Sequence, residues 1–141
     1  MENLRYCHED KGLIIYGYIL MTNHLHMIAS SAHSLPAILR DFKSFTSKKL
    51  YLLIRNNPKE SRRKWMLNEF RKAGNRNKMN KSIQIWENGY YPTALYSNQA
   101  ISQKIEYIHQ NPVRAGIVDE PEYYHYSSAN PNNPLHDILV L

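Results

Sequence analysis

The feature that most restricts the fold is a pair of adjacent apolar runs near the N-terminus. Residues 13–20 (LIIYGYIL) are rich in β-branched and aromatic types, residues 21–23 are turn-like, and residues 24–29 (HLHMIA) resume a strand pattern. Two such runs joined by a short turn predict an antiparallel hairpin. The chain is therefore expected to contain a β-sheet.

Helical patterns surround the predicted hairpin. Capping residues and apolar spacing predict four helices. The first spans residues 2–10, with Gly12 just beyond its end, and the second spans residues 35–54, with Ser34 as its N-cap. The third runs from residue 57 to about 73, where Gly74 ends it, and the fourth runs from Asn98, its N-cap, to about residue 110. Weaker patterns predict a basic loop over residues 75–82 and short strands over residues 82–86 and 90–96.

Length and composition indicate one domain with an ordinary core. With 141 residues, 43% of them hydrophobic, the chain can bury a core without disulfides. Its one cysteine, Cys7, excludes a disulfide framework and a zinc finger. The N-terminus has no signal-peptide pattern, and no run approaches the 18 or so apolar residues of a membrane span. The sequence therefore predicts a cytoplasmic protein.

Positive charge is concentrated in one third of the chain. Residues 40–81 hold 14 of the 18 Lys and Arg with three acidic residues, a net +11, whereas the remainder carries −5. The simple interpretation is two solvated helices, but the concentration favours a polyanion-binding surface. Tyr51, Trp65 and Phe70 are either stacking partners or core residues. The residues of this segment that are candidates for binding such a polyanion are Arg40, Lys43, Lys48, Arg62, Arg63 and Lys64.

Two histidines stand in the second strand pattern. Side chains two residues apart on a strand share a face, so His24 and His26 are predicted to project together while Leu25 and Met27 point to the core. Two imidazoles on one rigid edge form a bidentate metal platform. The alternative interpretation is a pair of surface histidines that happen to alternate.

The last predicted helix carries a tyrosine away from its apolar stripe. Ile101, Ile105 and Ile108 have helical spacing, whereas Tyr107 lies about 200° around the helix from Ile105, with Asn111 one turn beyond. A carboxamide oxygen is a hard metal ligand, and a phenol can attack a metal-bound phosphate. Because the chain has 11 tyrosines, spacing alone does not establish this role.

Three segments together resemble a known family. They are GYILMTNHLHMI (residues 17–28), KIEYIHQNPVRAGIV (residues 104–118) and YYHYSSA (residues 123–129). In this order they are similar to the REP-associated tyrosine transposases, of the single-tyrosine transposase group in the HUH nuclease superfamily. The likeness covers residues 4–129. It implies a transposase domain over residues 1–130, incomplete at its N-terminus, followed by a C-terminal tail over residues 131–141.

The resemblance also implies a fold and a mechanism. The fold is α+β, a ferredoxin-like HUH nuclease with a four- or five-stranded antiparallel sheet, helices packed against it, and its first edge strand missing. His24, His26 and Asn111 would hold Mg²⁺ or Mn²⁺, and Tyr107 would be the nucleophile. The implied activity is cleavage and rejoining of single-stranded or hairpin DNA through a 5′-phosphotyrosine. The resemblance is compatible with either a monomer or a homodimer. Alternatives are a non-catalytic nucleic-acid-binding remnant and, more weakly, a relaxase or replication initiator.

Overall fold

The chain forms two compact units in a computed structural model, which describes residues 1–77 and 82–140. Unit 1 comprises Met1–Ile38 and Thr93–Leu141, and unit 2 comprises Leu39–Pro92. Unit 2 therefore contains the basic segment found in the sequence. Residues 78–81 of the predicted basic loop lie outside the described residues. No helix in the described part of the chain is long and apolar enough to cross a membrane.

The class is α+β. The helices are α1 (Glu2–Lys11), α2 (Leu35–Asn56), α3 (Arg63–Arg76), α4 (Asn98–His109) and α5 (Asn111–Arg114), with short 3-10 turns at Pro121–Tyr123 and His136–Ile138. Strands β1 (Leu13–Leu20) and β2 (Leu25–Ser31) form the predicted antiparallel hairpin. The described residues contain these two strands and not the four or five that the resemblance implies.

Several predicted helix boundaries are confirmed. Gly12 follows α1 with φ 68°, a left-handed conformation that glycine adopts without strain. Ser34 precedes α2, and its Oγ accepts from the Ala37 amide at 3.4 Å. For α4 the cap is Ser97 and not Asn98, because the Ser97 Oγ accepts from the Ala100 amide at 3.1 Å.

The third helix differs from its prediction at both ends. It begins at Arg63, because residues 57–62 form turns in which the Asn57 Oδ1 accepts from the Lys59 amide. It also continues past Gly74 to Arg76. A Cβ at Gly74 would lie 2.7 Å from the Ile83 nitrogen. The glycine therefore permits a close backbone approach and does not end the helix.

Residues 82–86 and 90–96 are not strands. The first of these segments is attached to helices of unit 2 by individual hydrogen bonds and not by the regular hydrogen-bond ladder of a β-sheet. The Gln84 amide donates to the Phe70 carbonyl at 2.9 Å, and the Trp86 indole donates to the Thr46 hydroxyl at 2.8 Å. Trp86 thus packs beside Phe42 of α2, whereas Tyr91 and Tyr96 of the second segment are exposed; the local pattern could not distinguish either arrangement from a strand.

One face of the hairpin carries His26. A bulge lies between Ile15 and Gly17; beyond it Gly17 pairs with Ile28, and Ile19 pairs with His26. Partners in an antiparallel pair share a face, so Ile19, Ile28 and His26 define a histidine face. Ile28 is the one buried residue of β2. The prediction that the histidines would project from the side opposite the core is therefore wrong for His26.

The histidine face is covered by α4. A Cβ at Gly17 would lie 2.9 Å from the Ile105 Cγ1, so the absence of a side chain allows the helix to approach the sheet closely. Ile108 is 1% exposed and packs with Ile19 and Ile28. The predicted Ile101, Ile105 and Ile108 stripe is confirmed, with the first two partly buried beside this cluster. The helix that carries Tyr107 thus lies on the same sheet face as His26.

The other edge of β1 is occupied by C-terminal residues. The Ser128 amide donates to the Tyr18 carbonyl, and the Val140 amide donates to the Ile15 carbonyl, at 2.9 and 3.0 Å. These contacts form two isolated bridges, Ile15 with Leu139 and Ile19 with Ser127. Pro131 and Pro134 lie between them, and proline has no N–H for a continuous ladder.

The described part of the predicted tail belongs to the core of unit 1. Leu135 is fully buried, and the Asn133 Oδ1 accepts from the buried Tyr18 hydroxyl at 3.0 Å. Arg5 on α1 contacts both carboxylate oxygens of Asp137 and donates to the Pro134 carbonyl. Residues 131–140 are therefore joined to the helix and strand at the opposite end of the sequence.

The ion pair between Arg5 and Asp137 should make folding sensitive to acid. The hydrogen bond from Arg5 lowers the pKa of Asp137 from 3.8 to about 2. A lowered carboxyl pKa adds stability above pH 3.8, and this is lost as the pH falls toward 2. Asp137→Asn should therefore show a flatter fall in unfolding free energy between pH 4 and 2, measured by urea denaturation. The difference should be small and should shrink in salt because the pair is exposed. Superimposable pH profiles for the two proteins would contradict this expectation.

Candidate functional site

The two histidines lie side by side at the start of β2. Their ring centroids are 4.8 Å apart with an interplanar angle of 82°. His24 is exposed in the turn before the strand, and its Nδ1 lies 2.6 Å from the Asn23 Oδ1. An amide oxygen only accepts, so Nδ1 carries the proton and the Nε2 of a neutral ring keeps its lone pair for a ligand.

The surroundings of His26 favour its neutral form. Burial lowers its pKa from the ordinary value, and the charges of His24 and Lys104 lower it further. Only a neutral imidazole can coordinate a metal. The local environment of His26 thus favours the protonation state that a metal ligand requires.

Tyr107 is half exposed and has two cations beside its ring. The Lys104 Nζ lies 4.6 Å from the ring centroid, and the Arg114 Cζ lies 4.5 Å from it. Sequence reasoning missed both residues. Lys104 could have been found, because a residue three positions earlier on a helix is a neighbour. Arg114 could not, because its approach depends on how the chain passes from α4 into α5.

Lys104 connects the tyrosine to the histidine pair. Its ammonium contacts the Tyr107 ring, and its charge is close enough to His26 to lower the pKa of that imidazole. Lys104 therefore lies beside the Tyr107 ring and within electrostatic range of His26, on a helix that packs on the histidine face.

Asn111 begins α5, and its side chain has an unusual environment. The Nδ2 is buried and has no hydrogen-bond partner among the described residues. Such an orphaned polar atom costs about 1–3 kcal/mol, and rotation of the amide would exchange nitrogen for oxygen. The carboxamide is thus available to a ligand, although no described hydrogen bond joins it to either histidine.

The donor set is compatible with a divalent metal. His24 and His26 supply two nitrogens and Asn111 could supply an oxygen, a mixture that suits Mn²⁺ better than the all-oxygen preference of Mg²⁺. In the described ranges, no three His, Cys, Asp or Glu side chains gather into a metal-binding group.

The YYHYSSA segment has a structural role in unit 1. The Tyr124 hydroxyl donates to the Leu20 carbonyl at 2.9 Å, and the Ser128 Oγ accepts from the Tyr18 amide at 2.9 Å. The His109 Nε2 lies 2.7 Å from the same Ser128 Oγ. Burial lowers the pKa of His109, which is a packed residue of unit 1.

The six candidate DNA-binding residues differ in how free their charges are. Arg40 contacts the Asp41 carboxylate, Arg62 contacts Glu60, and the Lys43 ammonium donates to the carbonyls of residues 87 and 89. Lys64 is exposed and Arg63 half-buried at the start of α3. Lys48 lines a groove in unit 2. Three of the six thus already have partners within the chain.

Comparison with known proteins adds no relative. No protein-family model matches this chain, and no curated protein or solved structure matches it significantly.

Proposed function

We propose that this protein is a DNA transposase of the single-tyrosine HUH type, which cleaves and rejoins single-stranded or hairpin DNA. The observation that carries the proposal is the packing of α4, the helix of Tyr107, on the sheet face that also carries His26. In this proposal the hairpin and α4 are the part of a ferredoxin-like HUH fold that carries the site.

Tyr107 is the proposed nucleophile. Its hydroxyl oxygen bonds to the phosphorus of a phosphodiester as the bond from phosphorus to the 3′ oxygen breaks. The phenol proton is released, and the leaving 3′ oxygen takes up one proton to become a hydroxyl. The product is a 5′-phosphotyrosine that conserves the ester bond, so a second 3′-hydroxyl can reverse the step and join two strands.

Positive charge near the tyrosine supports the same step. A divalent metal, Mg²⁺ or Mn²⁺, held by His24, His26 and Asn111 would stabilise the negative charge that develops at phosphorus. Lys104 and Arg114 add two cations beside the attacking ring. They attract the phosphodiester and hold the phenol in place.

The position of a label on the DNA tests the proposal. A pool of oligonucleotides with a hairpin and randomised single-stranded flanks is incubated with the protein and Mn²⁺, then analysed on a denaturing gel. A 5′-phosphotyrosine retains the 3′ fragment, so 3′-labelled DNA should migrate with the protein while 5′-labelled DNA is only shortened. Peptide mapping should find the adduct on Tyr107. An adduct that retains the 5′ label would refute the mechanism.

A second function, nucleic-acid binding without chemistry, is favoured by one observation. The basic segment forms most of unit 2, a compact unit separate from the histidines and Tyr107. Binding that weakens steeply with salt but never produces an adduct, across the same oligonucleotide pool, would favour this second function over the first.

Metal binding should depend on the histidine pair. His24→Ala and His26→Ala each remove one nitrogen ligand and should weaken Mn²⁺ binding about tenfold or more, measured by calorimetry or by the resonance signal of free Mn²⁺. His125→Ala is the matched control, because His125 is exposed elsewhere in unit 1. Affinity equal to the wild type in both test variants would remove the metal role of the pair.

The cations at Tyr107 should affect rate and not folding. Lys104→Gln and Arg114→Gln each remove a charge about 5 Å from the ring and should slow adduct formation about ten- to a hundredfold. Lys11→Gln removes the same charge from α1 and should leave the rate unchanged. Single-turnover rates with equal thermal melts are the measurement. Rates like that of Lys11→Gln would show that these cations do not assist the reaction.

A further inference from the structure

A groove lies between α2 and α3, entirely within unit 2. Its volume is about 570 Å³, within the range of pockets that take small molecules. The residues that line it are not those of the proposed cleavage site. The side chains that line it include Lys48, Tyr51 and Leu52 on α2, Arg71 and Asn75 on α3, and Ile83 beyond α3.

The two walls of the groove carry unpaired positive charge. Lys48 stands on one wall and Arg71 on the other, and within the described residues neither contacts a carboxylate. The Arg71 Nη2 donates to the Tyr51 hydroxyl at 3.0 Å. This bond orients the guanidinium without neutralising it, because a phenol hydroxyl is uncharged. Arg40 and Arg62 of the same unit are instead paired with acidic residues.

The groove also has an apolar part. Leu52 is 45% exposed there, and Ile83 contributes a second aliphatic surface. Exposed aliphatic surface gains from contact with another apolar surface, and the flat face of a nucleobase provides one. Asn75 adds a carboxamide that can donate to and accept from a base edge.

We propose that this groove binds one nucleotide of single-stranded DNA. The phosphate lies between Lys48 and Arg71, and the base covers Leu52 and Ile83. The inference rests on the proposed function only in that the protein binds DNA. The groove anchors the strand and takes no part in the bond-breaking step at Tyr107.

Binding of a short single strand by the whole protein tests the groove. Fluorescence anisotropy with a labelled 12-nucleotide oligo-dT, in EDTA to prevent cleavage, gives the affinity and its dependence on salt. Lys48→Gln and Arg71→Gln should each weaken binding about tenfold and reduce the salt slope by about 1. Lys59→Gln is the matched control, since Lys59 is exposed in the turn between the two helices.

Further variants separate base contacts from phosphate contacts. Leu52→Asn should weaken binding of oligo-dT but not of an abasic strand of equal length, because only the former has bases to cover the apolar surface. Tyr51→Phe keeps the ring but releases Arg71, so it should weaken binding less than Arg71→Gln. Thermal melts followed by circular dichroism identify any variant that fails to fold. If Arg71→Gln fails to fold, Arg71→Lys tests the site with the positive charge retained. Its affinity for DNA should lie between those of the wild type and Arg71→Gln.

Three outcomes would overturn the nucleotide site. The first is a loss of affinity in Lys48→Gln and Arg71→Gln that is no larger than the loss in Lys59→Gln. The second is equal affinity for the abasic strand and for oligo-dT. The third is tighter binding of a polyglutamate peptide than of DNA. The cleavage proposal fails separately, by absence of the Tyr107 adduct. If the Tyr107 adduct forms normally and the groove variants bind DNA as the wild type does, only the groove proposal is refuted. If the groove variants bind DNA more weakly and no adduct forms, only the cleavage proposal is refuted.

Discussion

Tyr107→Phe should form no detectable covalent protein–DNA adduct. Removal of a nucleophile should lower the rate of adduct formation at least about a thousandfold. Phenylalanine lacks the oxygen that would bond to phosphorus. The change is otherwise conservative, because Lys104 and Arg114 both contact the ring, which phenylalanine retains. Within the described residues the Tyr107 hydroxyl makes no hydrogen bond, so its loss should leave folding unchanged.

Tyr96→Phe is the matched control for this experiment. Tyr96 is 94% exposed in unit 1 and should give the wild-type yield of adduct. Both variants should melt at the wild-type temperature and bind single-stranded DNA as the wild type does in EDTA. A Tyr107→Phe protein that still forms the adduct in normal yield would exclude Tyr107 as the nucleophile.

Leu135→Ala should reduce the free energy of unfolding by about 2–5 kcal/mol, the cost of truncating a fully buried leucine. Leu135 is completely inaccessible to solvent. Its amide donates to the Asn133 Oδ1 at 3.0 Å, and the same oxygen accepts from the buried Tyr18 hydroxyl. A cavity at this position would therefore disturb the attachment of the C-terminal residues to β1.

Urea denaturation followed by circular dichroism measures this loss. Leu53→Ala is the control, because Leu53 is 58% exposed on α2 and should cost less than about 1 kcal/mol. Equal costs for the two variants would mean that residues 131–140 contribute little to the core of unit 1, contrary to their burial in the structure.

Local signals predicted the elements whose stability is local. Gly12 ends α1 by adopting a left-handed conformation, and Ser34 caps α2 with its hydroxyl; both effects involve only neighbouring residues. The hairpin followed from its apolar runs and short turn. In α4, the isoleucine spacing identified the buried side and left Tyr107 exposed on another.

Predictions failed where a distant segment decides the outcome. Gly74 was interpreted as a helix end, but the backbone of Ile83 lies against it. The face of β2 that is buried depends on α4, which is distant in sequence, so the exposed position expected for His26 was wrong. The resemblance implies a C-terminal tail over residues 131–141, yet Leu135 is among the most buried residues.

The sequence by itself determined the residues available for chemistry and the local elements that carry them, because backbone preference and side-chain spacing act over a few residues. It placed the histidines at a hairpin, Tyr107 on a helix and the positive charge in one segment. Only the tertiary structure decided that α4 covers the histidine face, that Lys104 and Arg114 lie beside Tyr107, and that Arg71 meets Tyr51 across a groove. Such contacts join residues far apart in the chain, and packing selects them through the whole arrangement of surfaces and not through any local pattern.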